Sequence, residues 1–343
     1  MARSASDYDE SDVRIRPNKR GSRPRSKDRP AHLDAVPGMV IGVDRGRYTV
    51  LMEPGSRAER TVLAMRAREL GRKGIVVGDH VFLVGDVSGS PDALARIVRI
   101  DERTTLLRRT ADDTDPVERV IVANADQLVV VSALANPEPR PRLIDRCLVA
   151  AYDAGMSPLL ALTKADLADP GPFLENYAPL EVPAVITATP EAGGTDGLDA
   201  VRDALRGHVS VLVGHSGVGK STLVNALVPG AYRATGVVND VTGRGRHTST
   251  SAVALQLPDG DGWVIDTPGI RSFGLAHVHP ERIITHFPDL EEGTDECPRG
   301  CSHDEEECAL DEWVAQGHAG PAGPSRLESL RRLLRTRQTQ AGD

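Results

Sequence analysis

Three short stretches of this 343-residue chain carry the side chains that phosphate chemistry needs. Gly214, His215, Ser216, Gly217, Val218, Gly219, Lys220, Ser221 and Thr222 spell a G-x-x-x-x-G-K-[ST] loop after the apolar run VSVLV, opening a helical pattern. Glycines let backbone N–H groups curl round a β-phosphate, and the helix N-terminus adds positive potential. Lys220 would reach the β- and γ-oxygens, and the Ser221 hydroxyl would bind Mg²⁺. Asp266-Thr267-Pro268-Gly269 ends a second apolar run. There a carboxylate can hold Mg²⁺ through water, and the Gly269 N–H can meet a γ-phosphate. Thr163-Lys164-Ala165-Asp166 ends a third. The Asp166 carboxylate can accept from both N1–H and N2–H of guanine, whereas adenine would leave it unpaired, which argues against an ATP-dependent enzyme. The commoner residue at position 163 is Asn; Thr lacks the amide donor. Thr187 and Ala188, after the next strand pattern, would touch the guanine O6 through their backbone.

Between the phosphate loop and Asp266 lies GRGRHTST, residues 243–250. A Gly- and Thr-rich loop there suits a switch segment that closes a hydroxyl over Mg²⁺; Thr248 is the first choice and Thr250 the second. Ras-type enzymes orient water with a Gln just after the D-x-x-G element. Here that position is Ile270, which cannot hold water, and His247 is the nearest suitable side chain unless it is only a surface loop residue. Cys297, Cys301, His303 and Cys308 supply three thiolates and an imidazole within twelve residues. A Cys₃His set with no open position reads as one structural Zn²⁺, with His318 as a fallback ligand. Cys147, among apolar helical neighbours, reads as core.

The elements that must position these groups follow from patterning. Residues 1–35 are polar, basic and rich in Pro, Gly and Ser, and read as a disordered tail. Residues 36–110 hold five short alternating segments, expected to form an OB-type β-barrel, with an SH3-like barrel fitting nearly as well. Aromatic side chains for base stacking are scarce: Tyr48 is a candidate, and Phe82 is assigned to the core. Residues 111–275 alternate strands and helices, the mark of a mainly parallel α/β sheet covered on both faces. Residues 276–343 are polar, hold the Cys cluster and end in helices, the last with a capping box at Ser325 and Glu328 and an apolar face of Leu327, Leu330 and Leu334.

Net charge is −8, yet residues 14–29 carry eight Lys/Arg and residues 325–337 carry five Arg. Basic ends on an acidic body fit RNA phosphates, though each could be a solvated surface. No apolar run reaches the roughly 18–20 residues of a membrane span, and the N-terminus lacks an apolar signal core, so a cytoplasmic protein is expected.

The base-reading element precedes the phosphate loop, the reverse of Ras. A doubly wound sheet can be opened after its D-x-x-G element and its old ends joined without repacking. TKAD, GHSGVGKST, GRGRHTST, DTPG and CPRGCSHDEEEC, in that order behind a barrel, resemble the ribosome small-subunit-dependent GTPase A family (RsgA, also called YjeQ). The resemblance covers roughly residues 36–335. It implies an OB-fold, a circularly permuted Ras-like GTPase domain and a zinc-binding helical domain. It also implies hydrolysis of GTP to GDP stimulated by the small ribosomal subunit, contact with 16S rRNA, a monomer, and His247 in the role of the missing Gln. The alternative is an RNA-binding module that uses guanine nucleotide as a structural switch with little turnover.

Overall fold

Alternation of inward apolar and outward polar residues closes the first sheet on itself. In a computed structural model of the chain, β1 (Val36–Asp44), β2 (Arg47–Met52), β3 (Arg60–Arg66), β4 (His80–Gly85) and β5 (Ala95–Ile100) run in the order β1-β2-β3-β5-β4, with β4 returning to β1. β3 and β5 are parallel and the other pairs antiparallel. This closed order is that of an OB-type barrel. The described residues are 32–71, 74–110, 118–189, 194–231, 252–258, 260–267, 275 and 278–338, and residues 35–343 form one unit.

The strand period corrects the two aromatic assignments. Tyr48 is in phase with Val50 and Met52 and is buried in the barrel core. Phe82 lies between the inward-facing Val81 and Leu83 and so points outward, with the Arg99 guanidinium 3.7 Å above its ring.

A hairpin that the sequence reading did not single out, β6 (Leu106–Thr110) and β7 (Glu118–Ala123), follows the barrel. It staples the barrel to the sheet that follows. Ala123 N–H donates to Val77 O at 3.0 Å, and Asn124 Nδ2 donates to Gly78 O at 2.8 Å. Gly78 has φ +89°, and a Cβ there would lie 1.9 Å from Ala123 O, so only glycine permits the approach. Beside it Arg103 grips the fully buried Asp79 through two bonds of 2.6 and 2.8 Å.

β8 (Gln127–Ala133) is buried at all seven positions, as a strand covered on both faces must be. With β9 (Ser157–Thr163), β10 (Ala184–Ile186), β11 (Val209–Val213), β12 (Val253–Gln256) and β13 (Trp263–Asp266) it forms the order β10-β9-β8-β11-β13-β12, which continues into the barrel where β12 meets β1 antiparallel at Val253 and Gly42. Every neighbouring pair is parallel except β12–β13. α1 (Pro141–Asp153) and α2 (Gly171–Tyr177) contribute to the core on one face, and α3 (Leu198–Leu205) and α4 (Lys220–Leu227) to that on the other. Chain order and spatial order disagree as a circular permutation requires: the strand before the phosphate loop is central but fourth in sequence within this sheet.

The C-terminal region contains α5 (Pro280–Ile284), α6 (Pro288–Glu291), α7 (Ala309–Ala315) and α8 (Gly323–Gln338). Leu327, Leu330 and Leu334 are buried in the core shared with α1, as their spacing required. The capping box does not form. α8 begins two residues before Ser325, whose hydroxyl bonds back to Ala322 O inside the first turn. Four arginines of this helix are also committed elsewhere than expected. Arg326 pairs with Asp289 and Glu181, Arg331 with Asp311, Arg332 with Asp145, and Arg335 with Asp304 and Glu328. Among the described residues no helix is long and apolar enough to cross a membrane.

Asp145 is buried on α1, and burial outweighs the nearby Arg332 charge, so its carboxyl is pushed up to about 6. A folded-state pKa above the unfolded value gives stability that is full below about pH 4 and lost as pH rises through 6. Between those limits the loss is on the order of 3 kcal/mol. Urea unfolding of Asp145→Asn and wild type at pH 4.5 and pH 7 should therefore show the variant gaining relative stability at the higher pH. Parallel behaviour of the two proteins would refute this assignment.

Candidate functional site

The described candidate residues for phosphate and base lie at or just beyond the C-terminal ends of the parallel strands, where an open α/β sheet forms its crevice. The loop after β11 packs hard against β8: a Cβ on Gly214 would fall 2.5 Å from Val131 O. Gly217 and Gly219 have φ of +86° and +91°, so the loop can turn its amides inward and start α4 at Lys220. His215 bonds its own loop, Nδ1 to Ser216 O at 2.8 Å. Ser221 and Thr222 stand exposed in the first turn of α4. From β13, Asp266 forms an ion pair with Lys220, and the Thr267 hydroxyl donates to Leu212 O at 2.7 Å. Two motifs 46 positions apart thus converge on one ammonium group. His247, Thr248, Thr250, Gly269 and Ile270 lie outside the described residues.

The base side is assembled from β9 and β10. Thr163 is buried, and its hydroxyl donates to Val218 O at 2.5 Å. Thr163, which lacks the amide donor of the commoner Asn, therefore makes a tie into the loop of residues 214–222. Lys164 adopts φ +60° and donates through Nζ to Asn136 O. Ala165 N–H donates to Thr187 O at 3.1 Å, and Asp166 Oδ1 accepts from Thr189 N–H at 3.0 Å. TKAD and Thr187-Ala188 are therefore neighbours, with Asp166 exposed at the edge. Sequence reasoning missed Asn136 and Thr189. The ANPEP turn after β8 was the available signal for Asn136; Thr189 had none. Removing the Thr163 hydroxyl while keeping its shape, as Thr163→Val, should orphan Val218 O and cost about 1–2 kcal/mol, roughly tenfold in nucleotide affinity. Thr163→Ser should retain wild-type affinity; titration with a fluorescent guanine nucleotide tests both.

The second cluster is local. Cys297, Cys301, His303 and Cys308 bring their ligand atoms within 4.8 Å of one another. Cys297 Sγ is 3.7 Å from His303 Nδ1 and 3.9 Å from Cys308 Sγ, and Cys308 Sγ is 4.0 Å from His303 Nδ1. A tetrahedral Zn²⁺ with ordinary bond lengths has edges of about 3.6–3.8 Å, so three of these separations are near those of a bound ion and the set needs only a small contraction to close on one. Burial holds the three thiols above their ordinary range and lowers the imidazole. A metal bound there would displace the thiol protons. His303 has φ +65°, and its carbonyl accepts from Arg331 Nε at 2.9 Å. His318, the fallback, stacks on Trp313. Cys147 is core, its thiol pushed up to about 12 by burial.

The chain is similar to known proteins. A family model described as RsgA GTPase matches residues 100–276. A protein of Pseudomonas aeruginosa named "Small ribosomal subunit biogenesis GTPase RsgA" is 40% identical over 270 residues, covering 76% of this chain and 75% of its own. One of Gemmatimonas aurantiaca with the same name is 35% identical over 309 residues, covering 86% and 95%. The crystal structure of YjeQ from Thermotoga maritima superposes with a TM-score of 0.63 at 27% identity, over 89% of this chain and 99% of that one. YloQ, described as a circularly permuted GTPase, superposes at 0.61 with 23% identity over 92% and 100%, a likeness of fold. The permuted strand order, the family match over half the chain and the relatives' coverage agree, and the chain belongs to the RsgA GTPase family.

Proposed function

We propose that this chain is a GTP hydrolase acting in the late maturation of the small ribosomal subunit, in the cytoplasm and as a monomer. The reading is carried by the convergence of Lys220, Asp266, Thr163 and Asp166 on one crevice in a chain whose relatives are named for subunit biogenesis. Its parts are an OB-type barrel at 36–110, the permuted GTPase domain at 111–275 and a zinc-binding helical domain at 276–343. GTP sits with its phosphates on Gly214–Thr222 and its base against Lys164, Asp166, Thr187 and Ala188. Ser221, Asp266 (through water) and Thr248 would hold Mg²⁺, and the Cys₃His set would hold one Zn²⁺ to organise a segment too polar to fold by its own core. Phosphoryl transfer to water needs positioning and charge stabilisation more than covalent help. Lys220 would neutralise the phosphate oxygens, Gly269 would direct its N–H at the γ-phosphate, and His247 would orient the attacking water.

Barrel, zinc domain and the basic N-terminal segment supply the 16S rRNA contact. The C-terminal arginines contribute less to it than their number suggests, because four are in ion pairs. Slow intrinsic turnover is expected, rising on addition of purified small subunits and not of large ones. His247→Ala should lower the stimulated rate by about 10²–10³ with little change in GTP affinity. Tight GTP binding without stimulation would favour instead a module that uses nucleotide only to hold its shape.

A further inference from the structure

The geometry points to Arg326 and Arg332 of α8 as positioning residues for guanine recognition, linking the Cys₃His module to the base-reading end of the GTPase site. Arg326 is buried and bridges two modules. Its Nε and Nη2 each donate to Asp289 of α6 at 2.7 Å, while Nη1 donates to Pro179 O at 3.0 Å and lies 2.8 Å from Glu181. Arg332 reaches α1 and α2: Nε is 3.2 Å from Asp145, Nη1 is 3.4 Å from both Asn176 oxygens, and the guanidinium lies 5.1 Å over the Tyr177 ring. From the other side of the same helix, Arg331 holds Asp311 and the carbonyl of His303, and Arg335 holds Asp304.

The segments gripped on the GTPase side are the ones that carry the base-reading loops. α1 feeds β9, which ends at Thr163. Residues 176–181 end α2 and lead into β10, after which Thr187 O accepts from Ala165 N–H and Asp166 Oδ1 accepts from Thr189 N–H. An unbroken series of hydrogen bonds and covalent turns therefore runs from His303 through α8 to Asp166. It is separate from the route through the segment after Asp266. A buried arginine sharing three partners across a boundary holds both sides in one arrangement, because any shift orphans a charge. Linkage then requires that loosening α8 weaken guanine binding, and that guanine nucleotide favour the docked α8 by the same factor.

The inference rests on the assignment of Asp166 to guanine, and the test separates the two. The full chain, purified with its metal, is titrated with fluorescent GDP, then competed with GDP, IDP (which lacks the guanine N2 amine) and inorganic pyrophosphate. Arg326→Met and Arg332→Met are expected to raise the GDP Kd by about 5–20-fold and narrow the GDP/IDP preference, with pyrophosphate affinity within about twofold of wild type. Arg326→Lys should recover part of the loss and, with Arg332→Met, serves if Arg326→Met does not fold. Metal removal should weaken GDP binding in wild type and add little in Arg326→Met. Unchanged GDP affinity with a lowered urea midpoint would overturn the inference, leaving the arginines as glue; so would equal losses for GDP and pyrophosphate. If Asp166→Asn does not move the preference from guanine to xanthine, the base assignment fails and takes the inference with it.

Discussion

Asp166→Asn is expected to turn the site from guanine to xanthine. A carboxylate accepts both N1–H and N2–H of guanine; an asparagine amide presents one acceptor and one donor, so one guanine N–H would face an N–H. Xanthine carries a carbonyl where guanine has its amine and satisfies that amide. The loop itself should survive, because the oxygen that accepts from Thr189 N–H at 3.0 Å is retained in Asn. Setting a guanine N–H against an amide N–H costs about 3–4 kcal/mol in base-discriminating sites, so GTP affinity should fall roughly 10²–10³-fold while XTP gains. Competition of GTP and XTP against a fluorescent nucleotide reads the outcome. A variant that still prefers GTP tenfold would mean that the base lies elsewhere.

The second large effect is expected from Cys308→Ala. Its Sγ lies 3.9 Å from Cys297 Sγ and 4.0 Å from His303 Nδ1, so its loss leaves three donors where a closed tetrahedral site needs four. Structural zinc sites of this kind contribute roughly 10 kcal/mol to the fold of their module. The surrounding polypeptide has little to replace it: residues 292–308 offer short turns, with Trp313 packed against Gly293. Metal content should drop from one equivalent to none, and protease cleavage within residues 288–321 should accelerate by orders of magnitude while the parallel sheet stays protected. α8 should hold longer than the rest, since its leucines lie in the core with α1. Retention of one metal equivalent, or an unchanged cleavage pattern, would remove the Cys₃His set from the structural role.

The chain's linear order was enough to place the chemistry. Gly214 through Thr222 were legible as a candidate phosphate cradle because backbone amides, a lysine and a hydroxyl are needed at fixed local spacing, and local spacing is written in sequence. The four metal donors lie within twelve residues for the same reason, and the five barrel strands and the permuted α/β order announced themselves by period. Tertiary structure alone decided where long-range partners meet. The Thr163 hydroxyl found Val218 O, 55 positions away, so a residue read as a loss became a tie. Tyr48 and Phe82 exchanged their expected places because a one-residue phase along a strand chooses between core and solvent. The arginines of α8 were legible as charge but not as partners. Charge is a property of a residue, whereas an ion pair is a property of two segments brought together, and only the packing of α8 across the Cys₃His module and α1 chose Asp289, Asp145, Asp311 and Asp304 to receive them.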